Sequence, residues 1–258
     1  MSPNSLWPLV FLVLGCSTQS EPATDAEPAA DTALPDAAPV DAGPTLFAVS
    51  DDFQRAALGG NWAPAGGGEN LVILNNSIAG NDGNSSFGCR GSQWTANDAD
   101  WRVNTYAQVT LPANYTQGTL LHVGVRVGGD GANQNYGCGY YGNVGPCASG
   151  WILKRDGGPG GTNQLGNCPD KTRTCYFACG GPEIPAPVGG EVIRVESRWN
   201  PSTATNDLKC IVTTSGGSYQ YQGSDPVLTL PGRPRIVTCE GTPGATSRVF
   251  ESWESGNL

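Results

Sequence analysis

The chain has 258 residues, a net charge of −9, nine cysteines and a single histidine. It lacks the basic excess that proteins need to bind nucleic acid through a charged surface, so we expect no nucleic-acid partner. Its N-terminal apolar run, Leu6–Leu14, has nine residues, which is too short for the roughly 20 that a transmembrane helix requires.

The N-terminal 15 residues have the apolar stretch of a signal peptide. The segment Val13-Leu14-Gly15-Cys16 resembles a bacterial lipobox, in which a cysteine after a small residue becomes lipid-modified. The resemblance implies that residues 1–15 are removed and that Cys16 anchors the chain in a membrane. Because Ser17 follows the cysteine, we expect an exported lipoprotein of the outer membrane or cell surface. Ordinary secretion, with Cys16 discarded or paired, is the alternative.

Residues 16–45 form an acidic segment that is rich in alanine and proline. It carries six carboxylates and no basic residue, so it has too little apolar surface to fold and should be a disordered, extended tether. Of the 23 acidic residues, 17 remain in residues 46–258 beside all 14 basic ones. The remaining 213 residues are therefore nearly neutral and long enough for one domain.

Residues 46–258 alternate apolar and polar side chains with the period of two that is typical of β-strands. The clearest segments are "DWRVNTYAQVTLP", "LLHVGVRVGG" and "EVIRVESRW". Several shorter ones follow the same pattern, among them "GWILKRD" and "DLKCIVTTS". No segment has the period of an amphipathic helix. The pattern predicts an all-β domain with two antiparallel sheets packed face to face.

The cysteines indicate a protein cross-linked by disulfides. Apart from Cys16 they form an even set of eight: Cys89, Cys138, Cys147, Cys168, Cys175, Cys179, Cys210 and Cys239. An even set in an exported chain favours up to four disulfides, although eight cysteines allow 105 pairings that the sequence cannot rank. The spacing of Cys168, Cys175 and Cys179 fits no common zinc motif.

A family resemblance rests on several short motifs. They are Asp51-Asp52-Phe53-Gln54-Arg55, Leu58-Gly59, Trp62, "LVILNNSIAG", "YAQVTL", "VGVRVGGD" and "VFESWESG". Together they resemble the concanavalin A-like jelly rolls of the laminin G-like type. The resemblance implies two antiparallel sheets, pairing of the first and last strands, and a curved sheet whose concave face holds glycan or peptide ligands. It supports a fold rather than a function.

The polar side chains of the regular strands are the candidate ligand-binding residues. They are Arg102, Asn104, Tyr106, Gln108, His122, Arg126, Arg194, Glu196 and Arg198. If their strands are neighbours on the concave face, arginine forks and a tyrosine ring present a surface suited to glycans, including uronic or sulfated ones. Alternation does not show which sheet each strand joins, so ordinary cross-strand ion pairs are the competing interpretation. His122 is expected to point outward, as a solvated side chain or a ligand contact.

The sequence contains no catalytic constellation that we recognise. It has no Glu-x-Asp pair, and Glu191 and Glu196 in "EVIRVE" are five residues apart, which places them on opposite faces of a strand. The glycine spacing of "GCGYYG" has no following helix to make a nucleotide site. We expect the six tryptophans of the domain, Trp62, Trp94, Trp101, Trp151, Trp199 and Trp253, to pack in the core or in loops rather than to form a sugar platform.

Calcium is the one cofactor for which the sequence offers candidate ligands. These are weak, because Asp98, Asp100, Asp130 and Asp51 lie in turn-like segments, where aspartate also bonds its own backbone.

We expect a non-catalytic envelope lipoprotein that binds extracellular carbohydrate or protein. The alternatives are a structural or adhesive surface module without a small ligand and, less favoured, a polysaccharide hydrolase or lyase.

Overall fold

The computed structural model describes residues 46–65, 70–79, 88–115, 120–129, 134–142, 149–157, 163–166, 168, 173–180, 184–240 and 248–258. All of them lie in the unit that spans Pro44–Leu258. The signal peptide, Cys16, the tether, Asp130 and Cys147 lie outside the described residues, as do the side chains of Cys89 and Cys239. Within the described ranges, no helix has the length and apolar character needed to cross a bilayer.

The first large sheet has six strands and is antiparallel throughout. Its spatial order is β1 (Ala48–Asp51), β17 (Ser252–Asn257), β6 (Thr105–Thr110), β12 (Val192–Asn200), β13 (Thr205–Thr214) and β14 (Gly217–Asp225). The first and last strands pair, with Asp51 opposite Trp253. This confirms the pairing that the family resemblance implied. Both strands belong to the sheet that carries β6 and β12, two of the three clearest segments of the sequence.

The second large sheet has eight strands. Its order is β10 (Asn163–Leu165), β11 (Thr174–Cys179), β9 (Ser149–Asp156), β8 (Asn135–Gly142), β7 (Leu120–Val127), β15 (Arg233–Glu240), β5 (Gly88–Trp94) and β2 (Trp62–Pro64). The edge pair β10 and β11 is parallel, whereas the other pairs are antiparallel. The third clear segment, β7, lies in this sheet and not beside β6 and β12.

A third, small sheet contains β16 (Arg248–Phe250), β4 (Ser77–Ala79) and β3 (Val72–Leu74). The strands β3 and β4 form a hairpin whose turn residues Asn75 and Asn76 both have positive φ, the conformation that a tight two-residue hairpin requires. The only helical element among the described residues is a short 3-10 turn at Asp98–Asp100. The predicted all-β sandwich of jelly-roll type is therefore confirmed, with this small sheet as an addition.

The core lies between the two large sheets. Ala107, Val109, Ile193 and Val195 of the six-stranded sheet and Leu121 of the eight-stranded sheet belong to one cluster and are at most 1% exposed. These residues occupy alternate positions in their strands, as the period of two predicts. Burial of a valine, leucine or isoleucine side chain contributes about 1.5–3 kcal/mol, so this face holds the sandwich together.

Tryptophans fill one end of the core. Trp94 and Trp253 stack with ring centroids 5.1 Å apart, and Trp62 meets both rings edge-on. The Nε1 atom of Trp62 donates a hydrogen bond to Asp51 at 2.8 Å. Five of the six tryptophans are buried, while Trp199 is half-buried. The expectation that they pack rather than line a sugar platform is confirmed for those five.

Asp51 organises the motif that first suggested the fold. Its carboxylate accepts hydrogen bonds from the backbone of Phe53 at 2.9 Å and from the Arg55 guanidinium at 2.5 and 2.6 Å. Burial opposes the charge on Asp51, but the hydrogen bonds from Arg55 and Trp62 outweigh it and lower its pKa. Asp51 therefore serves as a structural anion rather than as a calcium ligand.

Two disulfides link described cysteines. Cys138 in β8 is bonded to Cys210 in β13, which joins the two large sheets across the core, and Cys168 is bonded to Cys175. Cys179 is also disulfide-bonded. The backbones of Cys89 and Cys239 are register partners in neighbouring strands. The prediction of a disulfide-stabilised sandwich is confirmed.

Candidate functional site

The predicted ligand-binding residues are divided between the two large sheets. Tyr106 and Gln108 in β6 and Arg194, Glu196 and Arg198 in β12 share the outer face of the six-stranded sheet, because β6 and β12 are neighbours. His122 and Arg126 lie in β7 of the eight-stranded sheet. The idea that all of these side chains form one surface is therefore wrong, since the strands pair in two separate sheets.

The outer face of the six-stranded sheet carries a network of mutually paired side chains. The Arg194 guanidinium lies over the Tyr106 ring, 3.8 Å from its centroid. Arg194 also donates to Glu196 at 2.7 Å and to Gln108 at 3.1 Å. The Tyr106 hydroxyl donates to Glu254. Burial and the Glu254 carboxylate raise the pKa of Tyr106 to about 12.

The polar groups that could bind a sugar on this face are already bonded to one another. The Gln108 amide is bonded at both ends, to Arg194 and to Glu254, and Arg198 lies 3.7 Å from Glu196 with its side chain 53% exposed. A ligand would have to displace these bonds to form its own. The arrangement fits the cross-strand ion pairs that the sequence left as the competing interpretation.

Arg102 and Asn104 lie before the first residue of β6, Thr105, and so do not belong to its outer face. Arg102 donates from Nη1 to the Ala99 carbonyl at 2.8 Å. The Asn104 side chain accepts a bond from the Trp199 backbone at 2.7 Å. The prediction that both continue the face of Tyr106 is wrong, because the chain enters regular pairing only at Thr105.

Arg126 points into the space between the sheets. The pairing of β7 with β15 shifts its register between Arg233 and Arg235, and Arg126 has φ +64°. A bulge of this kind inserts one residue and reverses the alternation of the following side chains. Arg126 is 1% exposed. It donates to the Leu230 carbonyl at 2.9 Å and to the Asn206 side chain, so it is a structural residue and not a ligand contact.

His122 occupies the outer face of the eight-stranded sheet. A Cβ atom on Gly137 of the neighbouring strand would lie 1.5 Å from His122 Nε2, so the imidazole rests against the bare backbone of β8. His122 is 1% exposed. The expectation that it points away from Leu121 and Val123 is confirmed, but a solvated side chain is ruled out by its burial.

Four further side chains surround His122 and define what we call the His122 cluster: His122, Asn135, Lys154, Asp156 and Arg235. Asp156 Oδ2 lies 3.9 Å from His122 Nδ1 and accepts a hydrogen bond from Asn135 Nδ2 at 3.1 Å. Lys154 Nζ donates to the other oxygen of Asp156. These residues come from β7, β8, β9 and β15, which are adjacent strands. The outer face therefore collects polar groups from four strands.

Glycines make this arrangement possible. A Cβ atom on Gly124 would lie 2.7 Å from Asn135 Oδ1 and 3.0 Å from Arg235 Cγ, inside the separation that real side chains maintain. Gly124 and Gly137 are themselves register partners in β7 and β8. They form a strip of bare backbone, the glycine floor, against which His122, Asn135 and Arg235 pack.

Burial and the neighbouring charges shift the pKa values of His122 and Asp156. Burial lowers the pKa of His122 well below its ordinary value, and the Lys154 and Arg235 charges lower it further. The imidazole is therefore neutral at pH 7. Burial opposes ionisation of Asp156, yet the positive charges of Lys154 and Arg235 and the hydrogen bond from Lys154 hold its pKa far below the ordinary range. The cluster thus presents a fixed carboxylate, a neutral imidazole and two cationic side chains.

The described calcium candidates Asp98 and Asp100 lie in one short 3-10 turn. Asp98 accepts hydrogen bonds from Nε and Nη2 of Arg233, the first at 2.6 Å. Asp100 contributes its backbone carbonyl to a bond from Asn257 at 2.8 Å, and Asp130 lies outside the described residues. Among the residues that the structure describes, no group of three or more histidine, cysteine, aspartate or glutamate side chains is positioned to hold a metal ion.

Lys154, Asp156, Asn135 and Arg235 were not among the predicted ligand-binding residues, and only the first two have a recognisable pattern in the sequence. Lys154 and Asp156 are two residues apart in "GWILKRD", whose alternating pattern predicts a short strand, and the period of two places them on one face. Asn135 and Arg235 had no comparable local signal, because their proximity to His122 arises only from strand pairing.

No protein-family profile matches the chain, and no curated protein matches it. Several solved structures are similar in their arrangement of strands. A legume lectin-like domain from Entamoeba histolytica has 14% identity and a TM-score of 0.46, covering 77% of this chain and 90% of that chain. Peanut lectin in complex with a nine-residue peptide has 13% identity and a TM-score of 0.47, covering 83% and 98%. A GH43 protein from Bacillus licheniformis has 10% identity and a TM-score of 0.47, covering 81% and 39%. The fold assignment rests on the strand order and pairing described above.

Proposed function

We propose that this protein binds carbohydrate without catalysis and that the His122 cluster is the binding surface. The observation that carries the proposal is the concentration of hydrogen-bonding groups on the glycine floor, where four strands contribute to one patch. Ligand sites characteristically combine a preformed surface with a few convergent polar groups. The partly exposed Asp156 carboxylate accepts bonds from sugar hydroxyls, and the Arg235 guanidinium donates to them.

The six-stranded sheet is the weaker candidate surface. Its Arg194, Tyr106 and Gln108 side chains already bond to one another and to neighbouring glutamates. In the His122 cluster, Arg235 is partly exposed and its side chain forms no hydrogen bond with a described residue, and the Asp156 side chain beside it is 18% exposed. Both groups therefore reach the surface next to the buried His122.

The test is a glycan array probed with the full-length protein, two variants and a matched control. Asp156→Asn removes the negative charge of the cluster with little change in shape, and Glu254→Gln makes the same change on the other sheet. The proposal predicts that a defined set of glycans is retained by the parent and by Glu254→Gln and is lost by Asp156→Asn. Near-UV circular dichroism of each variant reports whether the fold is intact. Retention of no glycan by the parent, or equal binding by both variants, would overturn the proposal.

We also propose that the protein is exported and lipid-anchored through Cys16 at the outer membrane or cell surface, with residues 17–45 as a tether. The support is the lipobox-like segment, together with the disulfide-bonded state of Cys138, Cys168, Cys175, Cys179 and Cys210. Disulfides of this number are typical of oxidising compartments. Mass spectrometry of the mature N-terminal peptide tests the anchor. A diacylglyceryl-modified Cys16 supports it, and an unmodified N-terminus at another residue contradicts it.

A cleavage activity is the second candidate, favoured by the neutral His122 imidazole 3.9 Å from Asp156. A buried imidazole beside a carboxylate is a combination used for proton transfer. Release of new reducing ends or of unsaturated sugars from a panel of polysaccharides would establish this activity. Its absence, with glycan binding retained, would leave the non-catalytic proposal standing.

A further inference from the structure

Arg235 differs from the other described arginines near the surface. Arg55 is paired with Asp51, Arg194 with Glu196 and Arg233 with Asp98. Arg235 forms no hydrogen bond or ion pair with any described residue, and its Nε atom is buried without an acceptor. A buried donor without an acceptor is costly, so the Arg235 guanidinium can bind an acceptor that no described residue supplies.

The position of Arg235 on β15 brings this unpaired charge to one side of the His122 cluster. Its Cγ atom lies over Gly124, beside Asn135 Oδ1, and its register partners are Gly124 in β7 and Gln93 in β5. Neither partner carries a charge. Arg235 is close enough to His122 and Asp156 to influence the ionisation of both, although it contacts neither carboxylate oxygen within ion-pair distance.

The charges of the cluster do not cancel. Lys154 and Asp156 form an ion pair with each other, and His122 is neutral because burial suppresses its protonation. Arg235 therefore remains as one positive charge without a counter-ion among the described residues. A neutral sugar would leave this charge unpaired, whereas an anionic group on the ligand would supply its counter-ion. The guanidinium fork binds carboxylates and sulfates through two parallel hydrogen bonds.

On this basis we propose that the ligand of the His122 cluster is an acidic glycan and that Arg235 binds its anionic group. This inference rests on the proposed carbohydrate-binding function and narrows it to polymers that carry carboxylate or sulfate groups. Arg235 determines the preference for an acidic over a neutral sugar. Asp156, which is 18% exposed, binds a hydroxyl of the same sugar or of its neighbour.

The experiment measures the affinity of the full-length protein for matched polymers by titration calorimetry at fixed ionic strength. One pair is polygalacturonate and its carboxyl-reduced form, which is a neutral galactan. The second pair is dextran sulfate and dextran. We expect about tenfold or greater preference for one acidic polymer over its neutral partner, the effect of one charge-assisted pair. The pair that shows it identifies the anionic group as carboxylate or sulfate.

Three variants assign that preference to Arg235. Arg235→Gln should bind the acidic and neutral polymers about equally, and Arg235→Lys should recover only part of the preference because it keeps the charge but loses the fork. Arg198→Gln removes the same charge from an exposed site on the other sheet and should behave like the parent. Thermal unfolding of each variant shows that the fold is retained.

The outcomes distinguish the preference for acidic glycans from carbohydrate binding in general. If the parent binds neutral and acidic polymers equally, or if Arg235→Gln keeps the full preference, then the assignment to acidic glycans is wrong while carbohydrate binding stands. If the preference falls equally in Arg198→Gln, it reflects overall charge and not this site. If the parent binds no glycan of any kind, the proposed function and the inference both fail.

Discussion

The phenol of Tyr136 in β8 donates a hydrogen bond of 2.8 Å to the carboxylate of Asp225 in β14. The two strands belong to opposite sheets. Arg155 of β9 forms an ion pair with the same carboxylate, and both side chains of that pair are fully buried. Asn206 of β13 adds a bond of 2.9 Å to the Tyr136 oxygen. A buried anion on one sheet is thus held by two strands of the other.

This arrangement predicts a large loss of stability for Asp225→Asn. Removal of one member of a buried ion pair leaves the other charge uncompensated and costs about 3–5 kcal/mol. Asp98→Asn is the matched control, because Asp98 pairs with Arg233 where the two side chains are 49% and 33% exposed. Such a surface pair contributes at most about 1 kcal/mol. Urea unfolding measures both. Equal losses would show that the inter-sheet network contributes no more than a surface pair.

Removal of the two disulfides should lower the free energy of unfolding by different amounts. Cys138 and Cys210 are 72 residues apart, whereas Cys168 and Cys175 are 7 apart. In the loop-entropy model, removal of the first costs about 4 kcal/mol and removal of the second about 2 kcal/mol. The paired alanine variants Cys138→Ala with Cys210→Ala, and Cys168→Ala with Cys175→Ala, should unfold in that order in urea. A greater loss from the short loop would contradict the cross-sheet role of the longer one.

Acid should destabilise the protein between pH 7 and pH 5 through a single group. His122 is the only histidine of the chain, and burial lowers its pKa well below the ordinary value of 6.5. Below pH 6.5 the unfolded chain binds a proton that the folded chain does not, so the stability falls as the pH falls. The slope is about 1.4 kcal/mol per pH unit until the folded-state pKa is reached.

His122→Gln removes this titration and provides the control. Free energies of unfolding measured at pH 7.5, 6.5 and 5.5 should fall less steeply for the variant by about one proton. Identical slopes would mean that His122 is protonated as readily in the folded state as in the unfolded state. The titration of Asp156 also lowers the free energy of unfolding as the pH falls, but in a lower pH range. Its stabilisation is present above the unfolded value near 4 and is lost as the pH falls toward its depressed folded pKa.

The glycine floor can be tested by adding one methyl group. Gly137→Ala would place a Cβ atom 1.5 Å from His122 Nε2 and must displace the imidazole. Overpacking of this kind costs about 1–3 kcal/mol, and displacement of His122 should also abolish glycan binding. Gly60→Ala is the control, since a Cβ there meets nothing within 4 Å. Thermal unfolding and the glycan array measure the two effects. If Gly137→Ala bound glycans as well as the parent does, His122 would not be part of the binding site.

The period of two was sufficient to predict the fold class and the orientation of most strand residues. Ile193 and Val195 face the core, and Arg194 and Glu196 face outward, as the alternation indicates. Burial of one face by hydrophobic residues is a local property, so it can be read from a single segment. The pairing of the first and last strands came from the family resemblance.

The candidate site could be predicted only in part, because it depends on pairing between distant segments. Nothing local in "LLHVGVRVGG" shows that β7 pairs with β15, or that a bulge opposite Pro234 turns Arg126 inward. Proline cannot donate to the strand ladder, which is why it occurs at such irregularities. Arg235, 109 residues after Arg126 in the sequence, reaches His122 only through this pairing.

The location of the binding surface is tested most directly by a crystal structure of the protein with the oligosaccharide that gives the strongest signal on the glycan array. Our account predicts that the sugar lies on the outer face of the eight-stranded sheet, with its oxygens within hydrogen-bond distance of Asp156 and Arg235. A sugar bound instead over Arg194 and Tyr106 on the six-stranded sheet would contradict it.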